Sequence, residues 1–357
     1  MKRLIALSFI LSHLSFGVAQ TATSPYLPGV TTEGAIYFLP KTAVRITVQI
    51  EKTSYTPGDL CKYSERYLRI KGVSPKPSVS YRITSISQTP IAVADTSKRY
   101  AVKFDAKTAA TNVRLSDDGI LLAINTDIKQ GGNTKPTSLR PSTKPVVNPR
   151  QYMSEEILAA GSTAKMAELT AQDIYDIRES RNLLIRGQAD NMPKDGEQLR
   201  LMLDQLDKQD QALTSLFTGT ITKDTTEHTY TIVPDQEIKR EVLFRFSQKL
   251  GVVDKDDLAG VPYYITIEDL KTVPPQEPVD PKKKNKQQPG VYVNVPGKLR
   301  STVTDIQGAV ITNDFLAGQF GNVELLSGAL FNKRYTTRLL LHPLSGAVDR
   351  LDAELPK

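Results

Sequence analysis

Val44-Arg45-Ile46-Thr47-Val48-Gln49-Ile50 alternates β-branched apolar residues with polar ones. A strand turns successive side chains to opposite faces, so this run sets Val44, Ile46, Val48 and Ile50 on one face and Arg45, Thr47 and Gln49 on the other. The run therefore predicts a strand with one face in a core. Ile36 and Phe38 extend the pattern upstream. Outward from it, residues 81–86, 91–93, 100–104, 113–115 and 120–124 read as further strands. Between the last two, Asp117-Asp118-Gly119 reads as a hairpin tip, because glycine accepts the positive φ of a tight reversal. Turn chemistry accounts for the paired aspartates without a metal.

Directly after the first strand, Thr56-Pro57-Gly58-Asp59 offers a cap, a proline at a first helical position and a carboxylate three residues after the cap. These predict a short helix laid over the sheet on Leu60, Tyr63, Tyr67 and Leu68. Cys61 falls inside it. As the single cysteine it forms no intrachain disulfide, and with no histidine or metal partner in its motif it reads as a small packed residue.

Residues 129–150 carry Gly131-Gly132 and then Pro136, Pro141, Pro145 and Pro149 among small polar residues, the composition of a linker. Beyond it a helical region begins near Ser154 and is divided by residues 191–196, which predicts two antiparallel helices. Ala167, Ala171, Ile174, Ile177 and Leu184 share a face of the first. Leu199, Met202, Leu203, Leu206, Leu213, Leu216 and Phe217 share a face of the second, and Gly219 stops it. Strand signals return at residues 230–233, 242–246, 263–267, 291–295 and 338–341. The stretch 273–290, with Lys282-Lys283-Lys284 between prolines, reads as a solvated loop, with a basic docking patch as the alternative. An internal echo joins Pro40-Lys41-Thr42-Ala43-Val44-Arg45-Ile46-Thr47-Val48 to Pro296-Gly297-Lys298-Leu299-Arg300-Ser301-Thr302-Val303.

The fold class expected from these patterns is α+β. Two β-rich parts, sandwich-like or open antiparallel sheets, are separated by a long antiparallel helical hairpin. The divisions are residues 20–128 with one short helix, the linker 129–150, the hairpin 151–219, and residues 220–357 with the Pro/Lys loop at 273–290.

Residues 1–19 read as a secretory leader: Met1-Lys2-Arg3, an apolar stretch to Val18, and slim side chains at Gly17, Val18 and Ala19 that place cleavage before Gln20. The apolar stretch falls short of the ~20 residues that span a bilayer, and no later stretch is long and apolar enough either. The formal charge of +7 falls by the two positive residues of the leader, to a mild +5. Neither that excess nor its distribution indicates nucleic acid as a partner.

A search for catalytic chemistry names no catalytic, cofactor-binding or metal-ligating residue. Ser162-Thr163-Ala164-Lys165 fits the Ser-x-x-Lys of penicillin-binding proteins, but the Lys-Thr-Gly element those enzymes need does not follow it. Helix capping explains it instead. His228 and His342 read as surface or turn residues. Asp254, Asp256 and Asp257 begin like a calcium loop and then fail its pattern at Leu258-Ala259-Gly260. Asp173, Asp176 and Glu179 alternate with Arg178 and Arg181 as a solvated mixed-charge face.

Tyr37-Phe38-Leu39-Pro40-Lys41-Thr42, Tyr55-Thr56-Pro57-Gly58-Asp59-Leu60 leading to Arg66-Tyr67-Leu68, Pro193-Lys194-Asp195-Gly196-Glu197, Phe217-Thr218-Gly219 and Gln319-Phe320-Gly321 form a set. With them the chain resembles a family of exported Bacteroidetes proteins, the domain of unknown function 4831, over nearly its whole mature length. The resemblance implies an envelope setting in a Gram-negative cell and carries no assigned activity or site residues. Its pattern has Ala at position 61 where this chain has Cys, which weakens any role for that thiol. The expected function is a non-enzymatic envelope protein, a binding or structural module for a protein or a cell-surface polymer. The alternative is an envelope hydrolase acting on glycan or peptide through carboxylates that converge only in the fold.

Overall fold

The computed structural model describes residues 22–25, 35–103, 112–127, 148–193, 195–275, 290–331 and 336–354. The leader and most of the two proline-rich stretches lie outside the described residues.

The alternating run sits in β2 (Ala35–Thr56), which pairs along its length with β3 (Ser78–Lys103) in one long antiparallel hairpin. β1 (Ala22–Pro25) flanks β3, and β6 (Thr220–Ile232) runs along the free side of β2 in unbroken register from Val44 opposite Ile232 to Thr56 opposite Thr220. The first sheet thus has the order β1-β3-β2-β6. Val44, Ile46, Val48 and Ile50 are all buried, as the period of two requires.

They pack against a second sheet of β7 (Ile238–Ser247), β8 (Gly251–Val253), β9 (Val261–Asp269), β10 (Gly290–Thr304) and β11 (Ala309–Ser327), ordered β11-β10-β9-β7-β8. Phe244, Phe246, Ile265, Ile267, Leu299 and Val303 complete this core, so the two sheets form the layers of a sandwich. The internal echo falls on the strands that face each other here. Val44 and Leu299 share this core, and the β2–β3 and β10–β11 pairings shift register beside the echoed prolines, between Phe38 and Pro40 and between Val295 and Gly297.

A third sheet, β13-β12-β5-β4, is built from β4 (Val113–Leu115), β5 (Leu121–Ile124), β12 (Thr336–Leu341) and β13 (Val348–Glu354). Its core joins Tyr37 and Leu39 of β2 to Leu121, Ile124, Val291, Phe331 and Leu339. The β4–β5 turn runs through Asp117-Asp118-Gly119 as expected, with Gly119 at φ 77°. Strands from before and after the helices therefore share two of the three sheets. The β-rich stretches that the chain separates in sequence interleave in space, because antiparallel pairing depends on exposed backbone edges and not on chain proximity.

Two side chains close the seam between these halves by imitating a strand. Tyr37 is fully buried, and its hydroxyl accepts from the Tyr292 N–H at 2.9 Å and donates to the Tyr292 carbonyl at 3.2 Å. Burial above all pushes its phenol far above the ordinary tyrosine range. Gln319 does the same to Thr42: its Oε1 accepts from the Thr42 N–H at 2.9 Å, and its Nε2 donates to the Thr42 carbonyl at 2.7 Å and the Pro234 carbonyl at 3.1 Å.

The helices form a separate layer: α1 (Ser64–Leu68), α2 (Glu155–Leu158), α3 (Thr163–Arg186) and α4 (Gly196–Thr218). None is long and apolar enough to cross a membrane. The helix expected from Pro57 starts later, as a 3-10 turn at Cys61–Tyr63 running into α1. The physical reason is pairing: Thr56 stays in β2 opposite Thr220, and Gly58 lies so close to α4 that a Cβ there would stand 2.1 Å from the Leu216 carbonyl oxygen. That carbonyl accepts from the Leu60 N–H at 2.8 Å, tying the end of β2 to the last turn of α4. Gly219 stops α4 as expected, at φ 79°, where a Cβ would meet the Thr56 carbonyl oxygen at 2.4 Å. Leu60, Leu68, Ala167, Ala171, Ile174, Leu213, Leu216 and Phe217 make the helical core. The ends of β2, β3 and β6 beyond Ile50 are exposed or half-buried on both faces, a three-stranded ribbon that carries the helical head.

Candidate functional site

α3 and α4 lie antiparallel, each started by a side-chain cap: Ser162 Oγ accepts from the Lys165 N–H at 3.2 Å, and Asp195 Oδ1 accepts from the Gln198 N–H at 2.7 Å. Ser162 and Lys165 are both exposed, so the Ser-x-x-Lys match is a helix start. Burial along the pair is uneven. Ala167, Thr170, Ala171 and Ile174 of α3 and Ala212, Leu213, Leu216 and Phe217 of α4 are buried at the base. Toward the free end only Leu184 is buried, and in α4 no residue before Ala212 is. Leu199, Leu203 and Leu206, expected in a core, are half-buried, and Met202 is 42% exposed.

Salt bridges hold the two helices together where apolar packing runs out. Arg178 Nε donates to both Asp210 oxygens at 3.1 and 3.2 Å, its Nη2 reaches Thr214 Oγ1 at 3.2 Å, and Arg181 Nε donates to Asp207 at 2.7 Å. The expectation of a solvated mixed-charge face is corrected for these arginines, which turn inward to the partner helix. Asp176 and Glu179 do remain exposed.

More than a quarter turn around each helix from this ladder runs an open groove. Its outer half, about 450 Å³, is mainly apolar and lined by Leu183, Leu184, Met202 and Leu206, with Asp190 at the mouth. Its inner half, about 430 Å³, is polar and lined by Tyr152, Asp173, Asp176 and Ile177. Ser180, Leu206 and Gln209 belong to both halves, which makes the groove continuous. Desolvation pushes the Asp173 carboxyl above its ordinary range, opposed by a hydrogen bond from Ser154 and reinforced by the charges of Asp176 and Glu156.

The other residues weighed from the sequence are scattered. His228 is exposed on β6 opposite Val48. His342 Nδ1 lies 3.1 Å from Ser345 Oγ and accepts from the Ser345 N–H at 3.3 Å, but Ser345 is fully buried in a turn, where no substrate reaches its hydroxyl. Asp257 caps its own turn through the Ala259 N–H at 2.9 Å. Cys61 is half-buried. Among the described residues no group of three or more His, Cys, Asp or Glu is placed to hold a metal ion. A charged basin of about 690 Å³ on the third sheet contains Arg338 and Arg350, and these are paired with Glu354 and Asp352. Lys98, whose ammonium burial pushes below the ordinary lysine range, donates to the Gly318 carbonyl at 3.1 Å and is tied into the bend of β11.

Residues 33–349 match the model of a family described as a domain of unknown function, DUF4831. The chain belongs to the DUF4831 family. No curated protein and no solved structure matches it. The motifs on which the resemblance rests lie at the joints of this DUF4831 fold. Tyr37 and Gln319 make the two strand-imitating contacts, and Thr42 receives one of them. Tyr55 brings its hydroxyl to 3.1 Å from the Thr218 carbonyl, Gly58 and Gly219 allow the ribbon to meet α4, and Asp195 starts that helix. None of these motif residues is among those lining the groove.

The sequence contains Asp173, Asp176, Met202 and Leu206 in plain view, but hydrophobic period reads a half-covered face and a buried face alike.

Proposed function

We propose that this DUF4831 chain is an exported, non-enzymatic cell-envelope protein that binds another protein through the groove of its helical head. The observation that carries the reading is the half-covered apolar face at the free end of α3 and α4. Two helices alone leave such a face in contact with water, and covering it releases free energy in proportion to the area removed. The groove is aliphatic and methionine-bearing, a surface suited to the side chains of another polypeptide. For the rival, a glycan or peptide hydrolase, Asp173 and Asp176 would be the acid and base. Asp176 is exposed and the cleft is open, whereas acid–base chemistry gains from an enclosed, water-poor site.

A photo-activatable amino acid placed at Met202 tests the reading in cells that export the protein. A discrete protein adduct from position 202, absent when the probe stands at Thr229 on β6 opposite Thr47, supports docking at the groove. Equal adducts from both positions, or none from position 202, overturn it.

A further inference from the structure

We infer that the groove takes a basic amphipathic helix of a partner protein, which lies along α3 and α4 as the third member of a bundle. The inference rests on the docking reading above and names the partner's chemistry. The groove runs from Asp173 to Leu184 on α3 and from Met202 to Leu213 on α4, a length of about 17 Å, the reach of about three helical turns. Its outer half offers Leu183, Leu184, Met202 and Leu206 to apolar side chains recurring at i, i+3 and i+4.

Charge decides the other face of that helix. Residues 151–219 hold seven Lys and Arg against twelve Asp and Glu, a net −5 in a chain whose total is +7, which leaves +12 on the remainder. Within the head, Arg178 and Arg181 are engaged with Asp210 and Asp207 away from the groove. Asp173, Asp176 and Asp190 line the groove, and among the described residues no salt bridge involves them. A lysine or arginine arriving at Asp173 relieves the repulsion from Asp176 and Glu156. A second copy of the hairpin would instead set −5 against −5.

The test uses the full mature chain and a labelled, monomeric 20-residue helical peptide with a leucine stripe and a lysine face, read by fluorescence anisotropy. The same peptide with glutamate for lysine is the comparison. The lysine peptide is expected to bind at least about tenfold more tightly than the glutamate peptide. Asp173→Asn with Asp176→Asn is expected to weaken it about tenfold and to flatten its salt dependence. Met202→Ser, a change at an exposed side chain that leaves the fold intact, is expected to weaken it severalfold. Equal binding of the two peptides, or unchanged affinity in both variants, overturns the inference. If the photo-adduct at position 202 forms but the peptide results are negative, the docking reading stands and the helix inference falls; if the adduct fails, both fall.

Discussion

Gln319 pairs with the backbone of Thr42 across 277 residues of sequence, accepting from its N–H at 2.9 Å and donating to its carbonyl at 2.7 Å, as a neighbouring strand would. Thr42 is fully buried, so no water can replace that partner. Gln319→Leu leaves a donor and an acceptor unpaired and is expected to lower stability by about 2–4 kcal/mol. Gln319→Glu keeps the acceptor but points a carboxylate at the Thr42 and Pro234 carbonyls, so its loss is expected to shrink at acidic pH. Urea midpoints with unchanged slope check both.

Gly58 is expected to be intolerant of any side chain. Its Cβ would stand 2.1 Å from the Leu216 carbonyl oxygen, a backbone atom that cannot step aside without moving α4. Gly58→Ala should therefore lower the melting temperature far more than Gly72→Ala, where φ is +77° but nothing lies within 4 Å. Left-handed strain alone costs about 1–2 kcal/mol at Gly72.

The base and the groove of the head should respond differently to truncation. Phe217 is fully buried, and Phe217→Ala is expected to cost about 3–5 kcal/mol. Leu206 is half-buried in the groove wall, and Leu206→Ala should cost well under half of that while weakening partner binding. Thermal melts beside peptide titrations separate the two effects.

Asp173 gives a pH signature. Its folded pKa lies above its ordinary value because of desolvation, with Asp176 and Glu156 facing it. The folded chain therefore binds that proton more readily than the unfolded chain, and stability falls as pH rises from about 4 through the folded pKa. Asp173→Asn removes the penalty. The variant is expected to be more stable than the parent at pH 7 and equal to it near pH 3, yet to bind the basic peptide less well. A variant less stable than the parent at pH 7 would show that the carboxylate is structural.

Periodicity in the sequence reveals the helices and their apolar faces, because both are local: Ala167, Ala171 and Ile174 are buried where spacing places them. It also reveals which residues of β2 face a core. It does not reveal that β6 lies beside β2, since Glu227 meets Gln49 across a separation of 178 positions and nothing in either strand names the other. The short helix signalled by Thr56-Pro57-Gly58 forms but starts later, at Cys61, for a similar reason: long-range pairing to Thr220 keeps Thr56 in the strand. The groove escaped the sequence because Met202 and Leu206 satisfy the same period whether a partner covers them or the chain does.

Hydrogen exchange of the mature chain, with and without the lysine-faced peptide, tests the central claim most directly. A helical head lacking its third member should open locally at its free end, at a free energy well below that of β2. Amides of residues 177–206 are expected to exchange quickly in the free protein and to gain protection when the peptide is added, while those of Val44 to Ile50 stay unchanged. Amides at 177–206 already as protected as β2 in the free protein, or a gain in protection confined to the sheets, would contradict it.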